Sequence, residues 1–314
     1  MTRTWVLTSA IGAALLSWSA ASATQIDPAP AAKAPAGTVS GVTVTAPTKP
    51  SPLINPASQF VREHLPQSQS EQYPRFRDAI CVKVIGLPSE FAGFIEKRLV
   101  EVAGQVHAPV AKDPACVPNV HVVFTTNPQA QVNDIAKRKD ILIGFHYFSQ
   151  SKRVTVMNRP IQAWYVTRTR DTTGNSWIEI ANPCPANTPV HDNGPCGDRP
   201  IGRAGSRLSN DMSAEVVHSL IIADANKVAG EKIDAVADYI AVLALAKWQG
   251  LERCNGIPTI LNLMAEGCTD PPDAATSADL ALLTGLYAVD PRELGSQQRM
   301  SIAGRMAASA SPPK

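Results

Sequence analysis

The sequence predicts an α+β fold, in which a mixed β-sheet is backed by helices, and three observations support this prediction. Residues 215–224 form an apolar, β-branched run that is typical of a strand buried on both faces. Residues 231–247 are rich in Ala and Leu, which favour helix. Their central part carries Asp238 as its only charged residue, and a helix that is apolar nearly all round must be enclosed by the rest of the protein. Strand and helix patterns both occur within residues 79–180.

The N-terminal residues have the pattern of a secretory signal peptide, which we assign to residues 1–23. Arg3 supplies a positive charge, an apolar stretch runs from Trp5 to Trp18, and Ala21-Ser22-Ala23 is a cleavage site of small residues. An uncleaved membrane anchor is the alternative for this segment. No later apolar run is long enough to cross a bilayer. We therefore expect a periplasmic or secreted protein without a transmembrane segment after cleavage.

Composition divides the rest of the chain into three parts. Residues 24–72 are predicted to be an Ala/Pro-rich linker, in which Asn55-Pro56 marks the start of a short helix. Residues 73–310 are predicted to form a single disulfide-bonded α+β domain. Residues 311–314 are predicted to be a disordered tail.

Local patterns predict the elements of the domain in order. Gly86-Leu-Pro88 turns the chain between a first strand and a helix. Val120, Val122 and Phe124 lie two residues apart, as expected of one buried strand face. Asp171–Gly174 is a hairpin signal. The predicted strands are 79–85, 119–126, 154–157, 161–169, 176–180 and 215–224; residues 141–148 fit strand or helix; residues 181–207 fit an irregular loop; and the predicted helices are 89–106, 128–138, 231–247, 257–264, 277–287 and 296–308.

Six cysteines follow the predicted cleavage site, and an even number in an exported chain indicates disulfide bonds rather than free thiols. Sequence alone leaves their connectivity open. We favour sequential pairs because each brackets a loop rich in Pro, Gly, Asn or Asp. These pairs are Cys81–Cys116, Cys184–Cys196 and Cys254–Cys268. Cys184 and Cys196, with His191 and Asp192 between them, are also a zinc-cluster candidate, but their spacing fits no common zinc knuckle.

Asp234 and Asp238 are the candidate catalytic residues. They lie four positions apart on the predicted core helix and therefore share one face. Two carboxylates on one face suit cation binding or acid–base catalysis. We favour a structural alternative, because negative charge is favourable near a helix N-terminus. A buried Asp238 also needs a partner, for which Arg168, Arg203 and Arg207 are candidates.

Glu215 and His218 are two further ionisable residues on the predicted core strand. Alternation along a regular strand places their side chains on opposite faces, which argues against a shared metal site. The sequence contains no His-Glu-x-x-His, P-loop or Gly-x-Gly-x-x-Gly motif. We therefore expect no metal and no cofactor. The net charge of +2 is too small to indicate nucleic-acid binding.

Several short motifs carry a resemblance to a group of known sequences. They are Arg77-Asp-Ala-Ile-Cys81, Gly86-Leu87, Pro118-Asn119, Trp164-Tyr165, Ser206-Arg207 and Ala237-Asp238-Tyr239. From Arg75 to its end, the chain resembles an uncharacterised family of exported alphaproteobacterial proteins. That resemblance implies no assigned activity.

A second resemblance concerns the C-terminal third of the chain. Residues 279–287 have the spacing Asp-x-x-x-Leu-x-x-Leu-Tyr, and a strand leads into the core helix. In these features the chain resembles zincin-type metallopeptidases, whose metal-binding helix carries two His four apart and a Glu. Here Asp234-Ala-Val-Ala-Asp238 occupies that position, whereas zinc prefers imidazole and thiolate ligands. The resemblance therefore implies at most a degenerate zincin-like fold without the peptidase site.

Two functions follow as predictions. The first is an exported, non-catalytic protein that binds an unknown protein or envelope component, because catalytic motifs are missing and a flexible linker is present. The alternative is a carboxylate- or metal-dependent hydrolase with a degenerate zincin-like site at Asp234 and Asp238. We expect the first function, and hence no enzymatic activity.

Overall fold

The protein combines helices with a mixed β-sheet, so the predicted α+β class is confirmed. The structure is a computed structural model, and it describes residues 53–68, 70–138, 140–144, 153–179 and 211–310. The strands are β1 (Arg75–Phe76), β2 (Val82–Ile85), β3 (Val120–Thr125), β4 (Ile161–Asp171), β5 (Ser176–Ile178) and β6 (Met212–Asp224). The helices are α1 (Ile54–His64), α2 (Ser89–Gln105), α3 (Pro128–Arg138), α4 (Ala225–Val228), α5 (Ile233–Leu245), α6 (Ser277–Ala288) and α7 (Gly295–Ser309), with 3-10 turns at Asp140–Ile143 and Ile260–Met264. The predicted signal peptide, most of the linker, the loop at 181–207 and the tail lie outside the described residues.

Strand β6 lies at the centre of the sheet, and its 13 residues are long enough for three other strands to pair with it. β4 runs antiparallel along one edge of β6. The other edge is shared by two parallel strands, β1 near Glu215 and β3 from Ser219 onward. β2 lies parallel beside β3, and β5 lies antiparallel beside β4. The sheet order is therefore β2-β3-β6-β4-β5, with β1 as an additional neighbour of β6.

Both faces of the sheet are covered near the C-terminal end of β6. On one face, Ile221 and Ala223 belong to the main core together with α2 and α5. On the other face, Leu220 and Ile222 pack against α3 in a smaller cluster. Helix α5 is buried from Ala235 to Leu245. The predicted enclosed helix and the two-sided burial of its preceding strand are both confirmed.

Side chains from other elements hold the C-terminal end of α5. The last carbonyl groups of a helix have no partner inside the helix and need one when they are buried. The Tyr165 hydroxyl donates to the Leu243 carbonyl at 2.7 Å, and the Tyr287 hydroxyl donates to the Leu245 carbonyl at 2.8 Å. These bonds join α5 to β4 and α6, and they satisfy two of the carbonyl groups at the C-terminal end of the helix.

Helix α1 belongs to the compact part of the chain, although the sequence placed it within a linker. Its buried Phe60 and Val61 join the main core. The helix packs on α7, which in turn packs on α6. The rings of Phe60 and Trp248 meet edge-on, with 6.5 Å between their centroids. The compact part of the chain therefore begins N-terminal to Tyr73.

Residues 154–157 do not form the predicted strand, so that prediction is wrong. Side chains, rather than a neighbouring strand, satisfy their carbonyl groups. Trp164 Nε1 donates to the Val154 carbonyl at 2.7 Å, and Gln162 Nε2 donates to the Val156 carbonyl at 3.0 Å. The Val-rich composition favours a strand, but these tertiary hydrogen bonds hold the segment in an irregular conformation.

Two of the three predicted disulfides are present. Cys81 is bonded to Cys116, and Cys254 is bonded to Cys268. The predicted third pair, Cys184 and Cys196, lies outside the described residues. Two disulfides fit an oxidising compartment outside the cytoplasm. Within the part of the chain that the structure describes, no helix is both long and apolar enough to cross a membrane.

We expect the two disulfides to contribute unequally to stability, because they close loops of different length. Their sequence separations are 35 and 14 residues. Loop-closure entropy predicts that the double variant Cys81→Ala/Cys116→Ala loses about 4 kcal/mol of its free energy of unfolding. The double variant Cys254→Ala/Cys268→Ala should lose about 3 kcal/mol. Urea unfolding of both double variants measures the difference. A larger loss for the shorter loop would show that native packing, rather than chain entropy, dominates.

Candidate functional site

The candidate Asp238 is a buried partner of an arginine. Its side chain is on α5, in the main core, and only 2% of the residue is exposed. Arg98 of α2 holds both carboxylate oxygens: Nε donates to Oδ1, and Nη2 donates to Oδ2 at 3.1 Å. The Ala275 backbone N–H donates to Oδ2 at 2.8 Å. The hydrogen bond from Arg98 to Asp238 raises the pKa of Arg98. This bidentate geometry is typical of a structural ion pair.

The structure places Asp234 and Asp238 in different environments. Asp234 is exposed in the first turn of α5, whereas Asp238 is buried. The arginine partner of Asp238 is not among those that the sequence suggested. Arg168 binds Glu215 instead, and Arg203 and Arg207 lie outside the described residues. The shared carboxylate site is therefore not assembled as one exposed pair.

Asp279, which begins the zincin-like spacing, serves as a helix cap. It lies at the start of α6 and forms a capping box with Thr276. Its carboxylate also accepts hydrogen bonds from the Thr259 hydroxyl and from the Ile260 N–H, the latter at 2.8 Å. Burial raises the pKa of Asp279 even though these hydrogen bonds oppose the shift. The residue joins the 3-10 turn at 260–264 to α6, which accounts for its position without a catalytic role.

A bulge in β6 brings Glu215 and His218 to the same face of the sheet. In the pairing with β4, Val166 lies opposite His218 while Thr167 lies opposite Val216, so Val217 is an extra residue in β6. Such a bulge shifts the alternation of side chains by one position. The prediction that Glu215 and His218 point to opposite faces is therefore wrong. Both lie on the face that α3 covers farther along the strand.

Three arginines surround Glu215 on this face and form what we call the arginine cluster: Arg77, Arg168 and Arg170. Arg168 Nε donates to Oε2 of Glu215 at 2.6 Å, and Arg170 Nε donates to Oε1 at 2.9 Å. Arg77 is more distant, with Nε 3.8 Å from Oε1. Arg168 also donates through Nη2 to Asp78 at 2.7 Å. One buried carboxylate thus orients two guanidinium groups by hydrogen bonds and lies near a third.

The charges of this cluster govern the ionisation of Glu215. Burial alone raises the pKa of this carboxyl, but the hydrogen bonds and charges of Arg170 and Arg168 outweigh burial, so the pKa is lowered. A fourth arginine, Arg75, lies opposite Glu215 in the pairing of β1 with β6. Burial, and then the charge of Arg77, lower the pKa of Arg75 to about 10. Glu215 is therefore ionised and Arg75 protonated at neutral pH.

An open cleft of about 700 Å³ lies beside the arginine cluster. It is bounded by the β4–β5 turn, the start of β6 and the chain that follows α6. Its lining includes Arg77, Arg170, Asp171, Thr172, Asp211, Ser213, Asp290 and Arg292. Asp171 stabilises the β4–β5 turn. One of its carboxylate oxygens accepts hydrogen bonds from the backbone N–H groups of Thr173 and Asn175, each at 2.9 Å. Asp290 similarly accepts from the Arg292 N–H at 2.8 Å.

Two histidines form a second polar group on the same face, which we call the histidine pair. His121 of β3 and His218 of β6 approach with 2.8 Å between Nδ1 of the first and Nε2 of the second. Both rings are half-buried. Burial, and then the neighbouring His121, lower the pKa of His218 to about 4. His218 Nδ1 is buried and has no hydrogen-bond partner among the described residues.

Sequence reasoning missed both groups for a common reason. The arginine cluster brings together Arg77, which follows β1, with residues of β4 and β6, and the histidine pair joins β3 and β6. Neither set is close in sequence. One signal was available: Glu215 is a charged residue within a strand predicted to be buried on both faces, and such a carboxylate needs cationic partners.

Comparisons with known proteins do not assign a family to this chain. No protein-family model matches it, and no curated protein matches it either. The described residues contain no group of three His, Cys, Asp or Glu side chains that could hold a metal ion. The resemblances to exported alphaproteobacterial proteins and to zincins therefore remain predictions.

Proposed function

We propose that the chain is an exported, non-catalytic protein that binds an envelope or extracellular partner, and that the cleft beside the arginine cluster is its binding surface. Export to the periplasm or beyond is supported by the N-terminal signal pattern and by the two disulfides. The single observation that carries the binding proposal is the exposure of oriented guanidinium groups at the cleft.

The cleft contains one arginine that Glu215 holds by hydrogen bonds, Arg170, whose side chain is 35% exposed. Two further arginines are more exposed, Arg77 at 41% and Arg292 at 64%. Because Glu215 orients Arg170, this side chain loses less freedom when a partner binds. Guanidinium groups pair with carboxylate and phosphate groups through two parallel hydrogen bonds. The expected partner therefore presents an anionic group to the cleft.

The alternative, a hydrolase that uses Asp234 and Asp238, has weaker support. Arg98 and the Ala275 N–H already bind the oxygens of Asp238. A catalytic acid or base must reach the substrate proton, and this carboxylate lies in the core. No arrangement among the described residues favours that alternative over a binding function.

Site-specific photo-crosslinking in intact cells tests the proposal. A photoreactive amino acid in place of Thr172, which lines the cleft, is expected to give a discrete adduct. The adduct should disappear when Arg77→Ala and Arg292→Ala are added, since the anionic group then loses its partners. The same photoreactive residue at the exposed Gln105, on α2, is the matched control. Equal adducts at Thr172 and Gln105, or an adduct that survives the arginine changes, would refute the cleft as binding surface.

A further inference from the structure

We infer that the outer edge of β2 is a second binding surface, on which an extended, acidic peptide segment of a partner protein adds as a further strand. The inference does not depend on the arginine cluster or on the cleft beside it. β2 is the last strand at its end of the described sheet, with β3 on one side. An unpaired strand edge can receive an extended peptide, whose backbone supplies the missing hydrogen bonds.

The backbone groups on this outer edge are only partly satisfied. Alternate residues of the strand turn their backbone groups away from β3, and these are Ile80, Val82 and Val84. Ile80 pairs with residues 109–111 through two backbone hydrogen bonds of 2.8 and 2.9 Å. The Val84 N–H donates to Oε1 of Glu96 at 2.8 Å. Val82, between them, has no backbone partner on this side among the described residues, so its N–H and carbonyl are available to an added strand.

Val82 lines a groove of about 530 Å³ that gives an added strand room for its side chains. Helix α2 contributes Gly93 and Val100 to the lining, and residues 111–118 contribute most of the rest. A side-chain carbon added at Gly93 would meet no atom within 4 Å, so the space beside the helix is free at this point. Val100 is 39% exposed and offers an apolar contact. The groove therefore leaves the edge of β2 accessible.

The charges of the groove favour an acidic partner. Its charged lining residues are Lys83, Lys97, Lys112, Glu96 and Asp113. Glu96 accepts the hydrogen bond from β2 and lies 3.5 Å from Lys83. Oδ1 of Asp113 accepts a backbone N–H of its own loop at 2.8 Å. Lys112 is exposed and has no ion pair among the described residues, and Lys97, 79% exposed, has one contact of 3.8 Å with Glu101. Two lysines, one on α2 and one in the loop, are therefore available to carboxylates of a partner.

A second copy of this chain is a less favourable occupant of the same edge. Pairing of β2 with β2 of another copy would bring the lysines of both grooves close together, and like charges on paired strands are destabilising. The surface is therefore better suited to a different, acidic chain.

Nuclear magnetic resonance of the isotope-labelled mature chain tests the surface with two probe peptides, acetyl-Val-Glu-Val-Glu-Val-amide and its counterpart with lysine in place of glutamate. We expect the glutamate peptide to shift the Val82 amide resonance saturably and to slow its hydrogen exchange, because that N–H becomes hydrogen-bonded. Lys97→Glu combined with Lys112→Glu should weaken binding of this peptide about tenfold, since each exposed charge contact contributes modestly. Lys137→Glu combined with Lys227→Glu is the matched control, because it makes the same change in net charge at exposed positions elsewhere.

Two further changes separate strand addition from contacts of side chains alone. Val82→Pro removes the outward N–H, and proline is tolerated on an edge strand. A glutamate peptide with methylated backbone nitrogens cannot donate to the Val82 carbonyl. Both changes should abolish the shift. If circular dichroism shows that Val82→Pro is unfolded, the methylated peptide decides, since it leaves the protein unaltered.

Several results would overturn the inference. They are the absence of a shift with the glutamate peptide, equal binding of the glutamate and lysine peptides, and undiminished binding of the methylated peptide. Protection of the Val82 amide in the wild-type chain before any peptide is added would also overturn it. Protection that rises with protein concentration would identify a second copy as the occupant, and protection that is independent of concentration would identify the chain's own N-terminal segment.

Discussion

Replacing Glu215 with glutamine is expected to lower the free energy of unfolding at neutral pH by about 3 kcal/mol, because several arginines then lose the buried charge that compensates them. Glu215 is 1% exposed and is bonded to both Arg168 and Arg170. Those arginines are partly exposed and can recover some hydration, which keeps the loss at the lower end of the range for broken buried pairs. Denaturant unfolding at pH 7 measures the loss.

The same variant should change how stability depends on pH. Burial opposes the shift, but Arg170 and Arg168 lower the pKa of Glu215 below its ordinary value of 4.5. A carboxyl whose pKa is lowered by folding contributes stability that is complete above its unfolded-state pKa, and that is lost as the pH falls through the folded-state pKa. The two proteins should therefore differ most above pH 4.5 and converge in stronger acid.

The control for this prediction is Glu266→Gln, which alters an exposed carboxylate and should leave stability nearly unchanged. If Glu215→Gln were equally destabilising at every pH, the loss would come from shape and packing instead of charge. The assignment of Glu215 as the residue that orients the arginine cluster would then be incorrect.

Replacing Arg98 with methionine should destabilise the protein by about 3 kcal/mol, because it leaves the carboxylate of Asp238 uncompensated in the core. The apolar stem of Arg98 is approximated by methionine, so the change mainly removes charge and hydrogen bonds. Among the described residues, only the Ala275 N–H would still donate to Asp238. Lys97→Met, at the exposed neighbouring position, is the matched control and should have little effect.

A double-mutant cycle separates the ion pair from the packing around it. Arg98→Met combined with Asp238→Leu should recover most of the lost stability, since an apolar pair can replace a buried ion pair at little cost. The two changes should then be strongly coupled, as expected for residues in direct contact. A coupling energy near zero would mean that another group compensates Asp238, and would restore it as a candidate functional carboxylate.

The parts of the fold that were predicted correctly are those that local sequence determines. Helix α5 was recognisable because the eleven consecutive residues from Ala235 to Leu245 are almost all apolar. The structure shows that all eleven are buried. Helix α3 has the predicted bounds, Pro128–Arg138, since proline favours its first position. The bonded Cys81–Cys116 and Cys254–Cys268 pairs were predictable because each closes a loop of turn-forming residues.

The candidate site depended on features that the sequence does not display locally. The partner of Asp238 lies 140 positions away on another helix, and His121 and His218 are 97 positions apart. No glycine or proline in the sequence indicates the bulge at Val217. The bulge nevertheless changes which side chains of β6 share a face of the sheet. This one extra residue thus places the side chains of Glu215 and His218 on the same face of the sheet.

The packing of α1 on α7 determines when this chain is able to finish folding during its synthesis. Phe60 and Val61 lose contact with water only after residues 295–309 have left the ribosome and α7 has formed. The first and last helices that the structure describes are therefore packed together, so this part of the core cannot form before α7 has been synthesised. Under the proposed export, this delay would help to keep the chain in the extended form that a translocation channel accepts.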